Sequence, residues 1–253
     1  MRNRNLLGTA AFLLATTAHA QPASAAKWAD SARVAIEASQ IAGDMDGVRA
    51  ARALVERALT LYPNDPLLLH YQGYAIYREA SQLVGRGEAK AAVPLLAQGV
   101  AALEASAKKR PMAETSALLA VLYGDEIAAD PSQAMTLGML SQQLMGEAEE
   151  LGPSNPRVWL LRGVSLLFTP EQYGGGVGPA TEQLTKAASL FERDQPRPGE
   201  PAWGRAEVHL WLGMAYQRGG DSTRAAAEYR AALAVEPGYA WVKNVLLPGL
   251  AKR

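Results

Sequence analysis

The stretch "HLWLGMAYQRGGDSTRAAAEYRAALAVEPGY", from His209 to Tyr239, decides the fold. Leu212 and Tyr216 recur at helical spacing, so they face a partner helix. Gly213 and Ala225 are small, which suits two helices crossing closely. Gly219-Gly220-Asp221 makes the turn between them, with Asp221 placed to cap the second helix. Pro237 ends that helix, because its ring clashes with a further turn. The stretch therefore predicts an antiparallel helix pair.

The register of that pair returns along the chain. Counted back from Pro63, Ala51, Val55 and Ala58 take the three buried places of a second helix. Gly73, then Ala92, Leu96 and Gly99, repeat the pattern, with a longer loop expected around "SQLVGRGE". Leu119, Ala120 and Tyr123, closed by Ala148 and Pro153, form a looser third copy. Trp159 and Gly163, followed by Ala180, Leu184 and Ala187, form a fourth, whose loop is stretched by "TPEQYGGGVG". The combination L-G-x2-Y, A-x3-aromatic and a closing proline resembles the tetratricopeptide repeat, with His209 in place of the leading tryptophan. The resemblance implies an all-α, right-handed superhelical solenoid of about five helix pairs plus a C-terminal capping helix.

The expected organisation is a secretory signal over 1–20 and a lead-in over 21–31, followed by a solenoid over 32–239. Its units lie near 32–65, 66–105, 113–155, 156–192 and 206–239, with a proline-rich connector at 193–205. Residues 240–253 read as an amphipathic cap, because a terminal repeat has no neighbour to cover its apolar face. The signal rests on Arg2 and Arg4, an apolar run from Leu6 to about Ala18, and the small-x-small site Ala18-His19-Ala20. An exported protein of the periplasm, or a secreted one, is expected, with no membrane insertion after cleavage.

Composition narrows the chemistry. Basic and acidic side chains balance at 25 each, which gives no electrostatic reason to expect nucleic acid as a partner. The absence of cysteine rules out disulfides, thiolate metal sites and thiol catalysis. His70 and His209 lie on different repeats without metal-pair spacing, so no metal or other cofactor is expected. The acidic run Gly146–Gly152 reads as a solvated helix face, and no nucleophile elbow occurs. Gly174-Gly175-Gly176 lacks the strand and the Gly-Lys-Ser/Thr of a phosphate cradle, so it reads as a flexible loop before a helix starting near Pro179.

Binding is what remains. The tetratricopeptide resemblance implies a concave groove lined by the first helices. Carried onto this register, it gives His70, Tyr74, Tyr77 and Arg78, then Leu160, Val164 and Leu167, then Leu210, Met214 and Gln217. Such a groove suits an apolar partner segment held by aromatic anchors. Self-filling by Lys27–Asp44 or by the stretched loops is the bland counterpart, since large apolar patches are seldom left bare. The connector reads as spacing. The expectation is a non-catalytic scaffold that binds another protein or peptide segment. The rivals are a ligand- or lipid-binding component of an envelope transport system and, last, a hydrolase with an unfamiliar site. An open groove would let Tyr74→Ala with Tyr77→Ala abolish binding at unchanged melting temperature.

Overall fold

In the computed structural model, residues 24–197 and 200–251 are described, and every regular element among them is helical. Five hairpins follow one another: α1 (Ala25–Ala42) with α2 (Met45–Leu61), α3 (Pro66–Gly85) with α4 (Ala89–Lys109), α5 (Ala113–Ala129) with α6 (Ala134–Leu151), α7 (Pro156–Phe168) with α8 (Val177–Phe191), and α9 (Arg205–Arg218) with α10 (Ser222–Val235). Each pair packs on the next, as in a solenoid. The expected leader, residues 1–20, lies outside the described residues. The first helix begins at Ala25, inside the expected lead-in, where Ser24 accepts from the Lys27 amide as its cap.

Local chemistry starts the helices. Asp44, Asp65, Asn155 and Asp221 each accept backbone amides of the first turn, which those helices otherwise leave unpaired. Pro66 and Pro156 follow their caps directly, at the position where a missing N–H costs nothing. The second helices then bury one repeated face. Ala51, Val55 and Ala58 do so on α2, Ala180, Leu184 and Ala187 on α8, and Ala225, Tyr229 and Ala232 on α10. On α6 the same face carries Met145 and Ala148, with Ser141 in the first place, donating to the Ala120 carbonyl at 2.7 Å. A hydroxyl where alanine stands elsewhere is why the third unit reads as loose.

The small first-helix positions set how closely the helices cross. A Cβ on Gly213 would overlap the Tyr229 ring, and one on Gly163 would lie 2.6 Å from Leu184 Cγ and 3.1 Å from the Leu184 backbone nitrogen. The large second-helix residue fills the notch that glycine leaves.

Four local expectations are corrected. Most of "SQLVGRGE" is not loop: α3 continues to Gly85 because Leu83 is buried. The triple-glycine segment is a tight turn, with the Gly176 amide bonded to the Leu166 carbonyl at 2.8 Å. Gly174 and Gly176 have φ of 83° and 105°, and a Cβ on Gly175 would strike the Thr169 carbonyl oxygen, so each glycine answers a backbone need. The helix after it starts at Val177 rather than Pro179. The C-terminal cap is broken by a π-type turn at Val242–Leu246 before α11 (Leu247–Leu250), because Pro248 lacks the N–H that would bond one turn back.

The two ends of the array meet. Gly238 lies against Ile41, and Ile41 packs on the small C-terminal core that includes Leu210, Tyr229, Tyr239 and Val242. Arg33 of α1 reaches the Ala202 carbonyl at 3.5 Å. Curvature thus brings the first and last pairs together across the concave side. No helix among the described residues is long and apolar enough to cross a membrane.

Gly163→Ala should cost about 1–3 kcal/mol in urea unfolding, because α7 and α8 must separate. Gly146→Ala, whose Cβ meets nothing within 4 Å, should instead gain about 0.5–1 kcal/mol.

Candidate functional site

The concave centre is built on α3. Its inward stripe carries His70, Tyr74, Tyr77 and Arg78, the other three each three or four residues from Tyr74 and therefore on its face. Trp203 lies on that face. Its ring stacks on Tyr74 with centroids 4.8 Å apart and planes at 23°. The Arg78 guanidinium sits 4.8 Å from the Tyr74 centroid, 5.2 Å from Tyr77 and 6.0 Å from Trp203. Trp203 is only 2% exposed, so the connector's indole is part of the interior.

A buried ionic network crosses the same centre. Arg78 donates from both terminal nitrogens to the Glu207 carboxylate of α9, a fork that matches carboxylate geometry. It also donates to the Tyr74 hydroxyl at 2.7 Å, and that hydroxyl donates to Glu37 of α1. The Trp211 indole donates to Glu207 at 3.1 Å. Burial works against the Glu207 carboxylate, yet Arg78's charge and hydrogen bonds, with help from Trp211, hold its pKa below the ordinary value. Burial dominates at Glu37 and raises its pKa, with Arg78 opposing only in part. Two carboxyls around one guanidinium are thus shifted in opposite directions, Glu207 down by its direct pairing and Glu37 up by burial.

The connector is pinned at both ends. Arg157 holds Asp194 through two bonds of 3.2 and 2.7 Å. Gly204, with φ of 100°, fits against Leu160 and Phe191, where a Cβ would lie 2.8 and 3.0 Å from their side chains. Beside Trp203 a cleft of about 260 Å³ remains, bordered by Arg33, Glu37, Glu207, Glu236 and Tyr239. Its walls mix these charged side chains with apolar surface from Ile41, Pro196 and Val235. Tyr74, Leu160 and Leu167, where a closed apolar cavity would have favoured a small-ligand carrier, are packed in the main core.

Most of the residues expected to line an open groove are interior. His70, Tyr74, Tyr77, Arg78, Leu160, Val164, Leu167 and Leu210 are all buried, and Met214 is half-buried. Gln217 turns to α10 and accepts from the Tyr229 hydroxyl at 2.7 Å. His70 lies 3.0 Å from the Thr115 hydroxyl, and burial lowers its pKa to about 3, so it is a neutral core histidine. The groove line of the resemblance is therefore covered in this chain. The covering is not Lys27–Asp44 acting alone: α1 contributes Glu37, and the connector contributes Trp203.

One stretch beyond the covered centre stays accessible. Phe168, at the end of α7, is 57% exposed and meets Trp211 of α9 edge to face at 5.8 Å. Arg218 lies 4.4 Å over the Phe168 ring and donates to the Leu167 carbonyl at 2.8 Å. Met214 is half-buried one turn along α9 from Trp211. This patch joins the buried network through the bond from Trp211 to Glu207. Asp125, at the end of α5, acts on the Tyr77 hydroxyl from the same side, and burial pushes its own pKa up to about 7. Among the described residues no group of three or more His, Cys, Asp or Glu side chains is arranged to hold a metal ion.

Sequence reasoning missed Trp203, Glu37, Phe168 and Asp125. A tryptophan inside an otherwise polar, proline-rich linker was the available signal for the first. The other three carried none.

Tyr74→Ala with Tyr77→Ala, expected from sequence to spare stability, should instead unfold the centre, each truncation costing about 3–5 kcal/mol by analogy with other buried aromatics. Glu207→Ala should cost a similar ~3–5 kcal/mol in chemical denaturation, since it strands a buried guanidinium. Asp125 binds its proton more tightly in the folded chain than in the unfolded one. Its contribution to stability is therefore full below about pH 4 and lost as pH rises toward 7. Asp125→Asn should raise the melting temperature at pH 8 and leave it unchanged at pH 4. His70 slopes the other way, losing stability as pH falls below about 6.5, and cancels in that comparison.

No family model matches the chain, and no curated protein matches it in sequence. Solved structures do match in shape. The HusA haemophore from Porphyromonas gingivalis superposes with a TM-score of 0.63 at 20% identity, over 79% of this chain and 96% of that one. A tetratricopeptide-repeat protein of Thermus thermophilus, TTC0263, gives 0.62 at 18% identity, over 89% of this chain and all of the other. The Cut9–Hcn1 hetero-tetramer of the APC/C gives 0.52 at 16% identity, over 90% of this chain but 38% of the other. The hairpin register, the small crossing positions and these superpositions agree: the chain has a tetratricopeptide-type solenoid fold.

Proposed function

We propose that the protein is a non-catalytic interaction scaffold that holds a segment of a protein partner on the accessible part of its concave side. The observation that carries this reading is the Phe168–Trp211 pair. It is an aromatic corner with a half-buried methionine and an arginine beside it, left partly open in a molecule whose expected groove residues are mostly buried. Aromatic rings with an adjacent arginine are the side chains that dominate binding energy where chains dock. A partner's apolar side chain would seat against Phe168, with the Arg218 guanidinium available to a carboxylate or carbonyl.

Catalysis has no support in the arrangement. The one carboxyl whose pKa moves to near neutrality, Asp125, has no nucleophile or second carboxyl converging with it on a shared pocket among the described residues. The cleft beside Trp203 leaves ligand binding as the second reading, and the haemophore of similar shape makes haem the first compound to try. The N-terminal signal adds the proposal that the scaffold works in the periplasm or outside the cell.

A photo-crosslinking amino acid at Phe168 should capture a partner protein from cells. The same group at Gln98, exposed on α4, should not capture it, and Trp211→Ala should reduce the Phe168 product at least tenfold. Equal capture at Gln98 contradicts the site, and stoichiometric haem uptake in place of capture favours the second reading. Fractionation of cells producing the full chain should recover it outside the cytoplasm, shortened by about 20 residues.

A further inference from the structure

Trp203 stands where a bound chain would stand. It belongs to no helix of the repeat, and the connector carrying it enters the concave side, stacks one indole on Tyr74, and leaves again at Gly204. The seat is preformed by helices on either side. Tyr74 supplies the ring face under the indole, Arg78 supplies a cation held in place by Glu207 and backed by Tyr77, and Leu160 and Phe191 lie against the adjoining Gly204. None of these side chains depends on the connector for its own hydrogen bonds. The Arg78–Glu207 pair joins α3 directly to α9 and stands whether or not the indole is present.

The fit of the indole is incomplete. Its N–H is buried and finds no acceptor among the described residues, so an incoming ring with an acceptor beside it can make a bond that the resident indole does not. Ahead of the indole the main chain is tied by one long bond, Arg33 to the Ala202 carbonyl at 3.5 Å, and after it the Gly204 carbonyl accepts from the Val208 amide at 3.0 Å where α9 begins. Trp203 also borders the charged cleft of about 260 Å³, so one edge of its seat has room beside it.

We propose that Ala202-Trp203-Gly204 is an internal pseudo-ligand. It occupies an aromatic seat and gives way to a partner segment that presents its own tryptophan or similar ring, with a donor-satisfying acceptor beside it. The inference rests on the interaction-scaffold reading and adds a second contact to it. A segment anchored at Phe168–Trp211 extends along α9 toward Glu207 and exchanges its aromatic side chain for Trp203. Binding is then graded by how well the incoming ring competes with the resident one, a cost that every partner meets before docking.

The test uses the full chain and a synthetic peptide, acetyl-EPAWGR-amide, whose sequence is that of residues 200–205, carrying 5-fluorotryptophan. Trp203→Ala empties the seat. Fluorine NMR should show the peptide binding this variant at least tenfold more tightly than the unaltered protein. The same peptide with alanine in place of tryptophan should not compete. No gain in affinity for a Trp203→Ala variant that keeps its circular dichroism overturns the proposal. Should that variant fail to fold, 5-fluorotryptophan in the unaltered protein decides the matter. The Trp203 resonance should show exchange with a solvent-exposed state in native buffer, whereas that of Trp159, also buried, should not. Release of Trp203 only together with global unfolding overturns the proposal. The two readings fail separately: a locked Trp203 with intact capture at Phe168 removes the pseudo-ligand alone, whereas lost capture with an exchanging Trp203 removes the Phe168–Trp211 docking site.

Discussion

The bidentate contact between Arg78 and Glu207 spans 129 residues of sequence and turns a row of hairpins into a closed arc. A guanidinium buried this deeply is tolerable only with a fully engaged carboxylate, so α3 and α9 cannot drift apart without exposing both to a severe desolvation imbalance. The pair gains from its surroundings. Tyr74 and Tyr77 offer ring faces to the cation, the Tyr74 hydroxyl accepts from it, and the Trp211 indole braces the carboxylate. Stacked repeats ordinarily interact only with their neighbours. Here the second and fifth pairs are tied directly, and the first is drawn in through Glu37.

That tie explains how the inner face is divided. Where the arc closes, Trp203 takes the space against Tyr74. Where α7 ends early, at Phe168, its last ring projects past the closure and stays accessible beside Trp211. A groove shared evenly among all first helices would need a wider superhelix. The partition into a filled centre and an open shoulder follows from one long-range ion pair and one shortened helix.

How much of this was legible in the sequence depends on the range of the interactions. The hairpins were readable because each rests on contacts a few turns apart: Ala225, Tyr229 and Ala232 against Gly213, or Ala180, Leu184 and Ala187 against Gly163. Pattern and partner lie within one repeat there, so periodicity carries the packing. The covering of the groove was not readable, because Tyr74 and Trp203 are linked by no period and the connector has none of its own. Arg78 was read as part of the groove, yet nothing in its neighbourhood announces Glu207. The loop expected around "SQLVGRGE" failed for a related reason. Leu83 finds a buried place that composition cannot foresee, and this is enough to carry α3 through to Gly85.

Closure of the arc is the claim on which the site, its covering and its open shoulder all depend. The absence of cysteine makes it directly measurable, since spin labels attach only where thiols are introduced. Pulsed electron resonance between labels at Ala42→Cys, the end of α1, and Ala234→Cys, near the end of α10, reads the gap between the first and last pairs. Closure predicts one short, narrow distance distribution that broadens and lengthens in Glu207→Ala. A broad, long distribution in the unaltered chain, indifferent to Glu207, would contradict it.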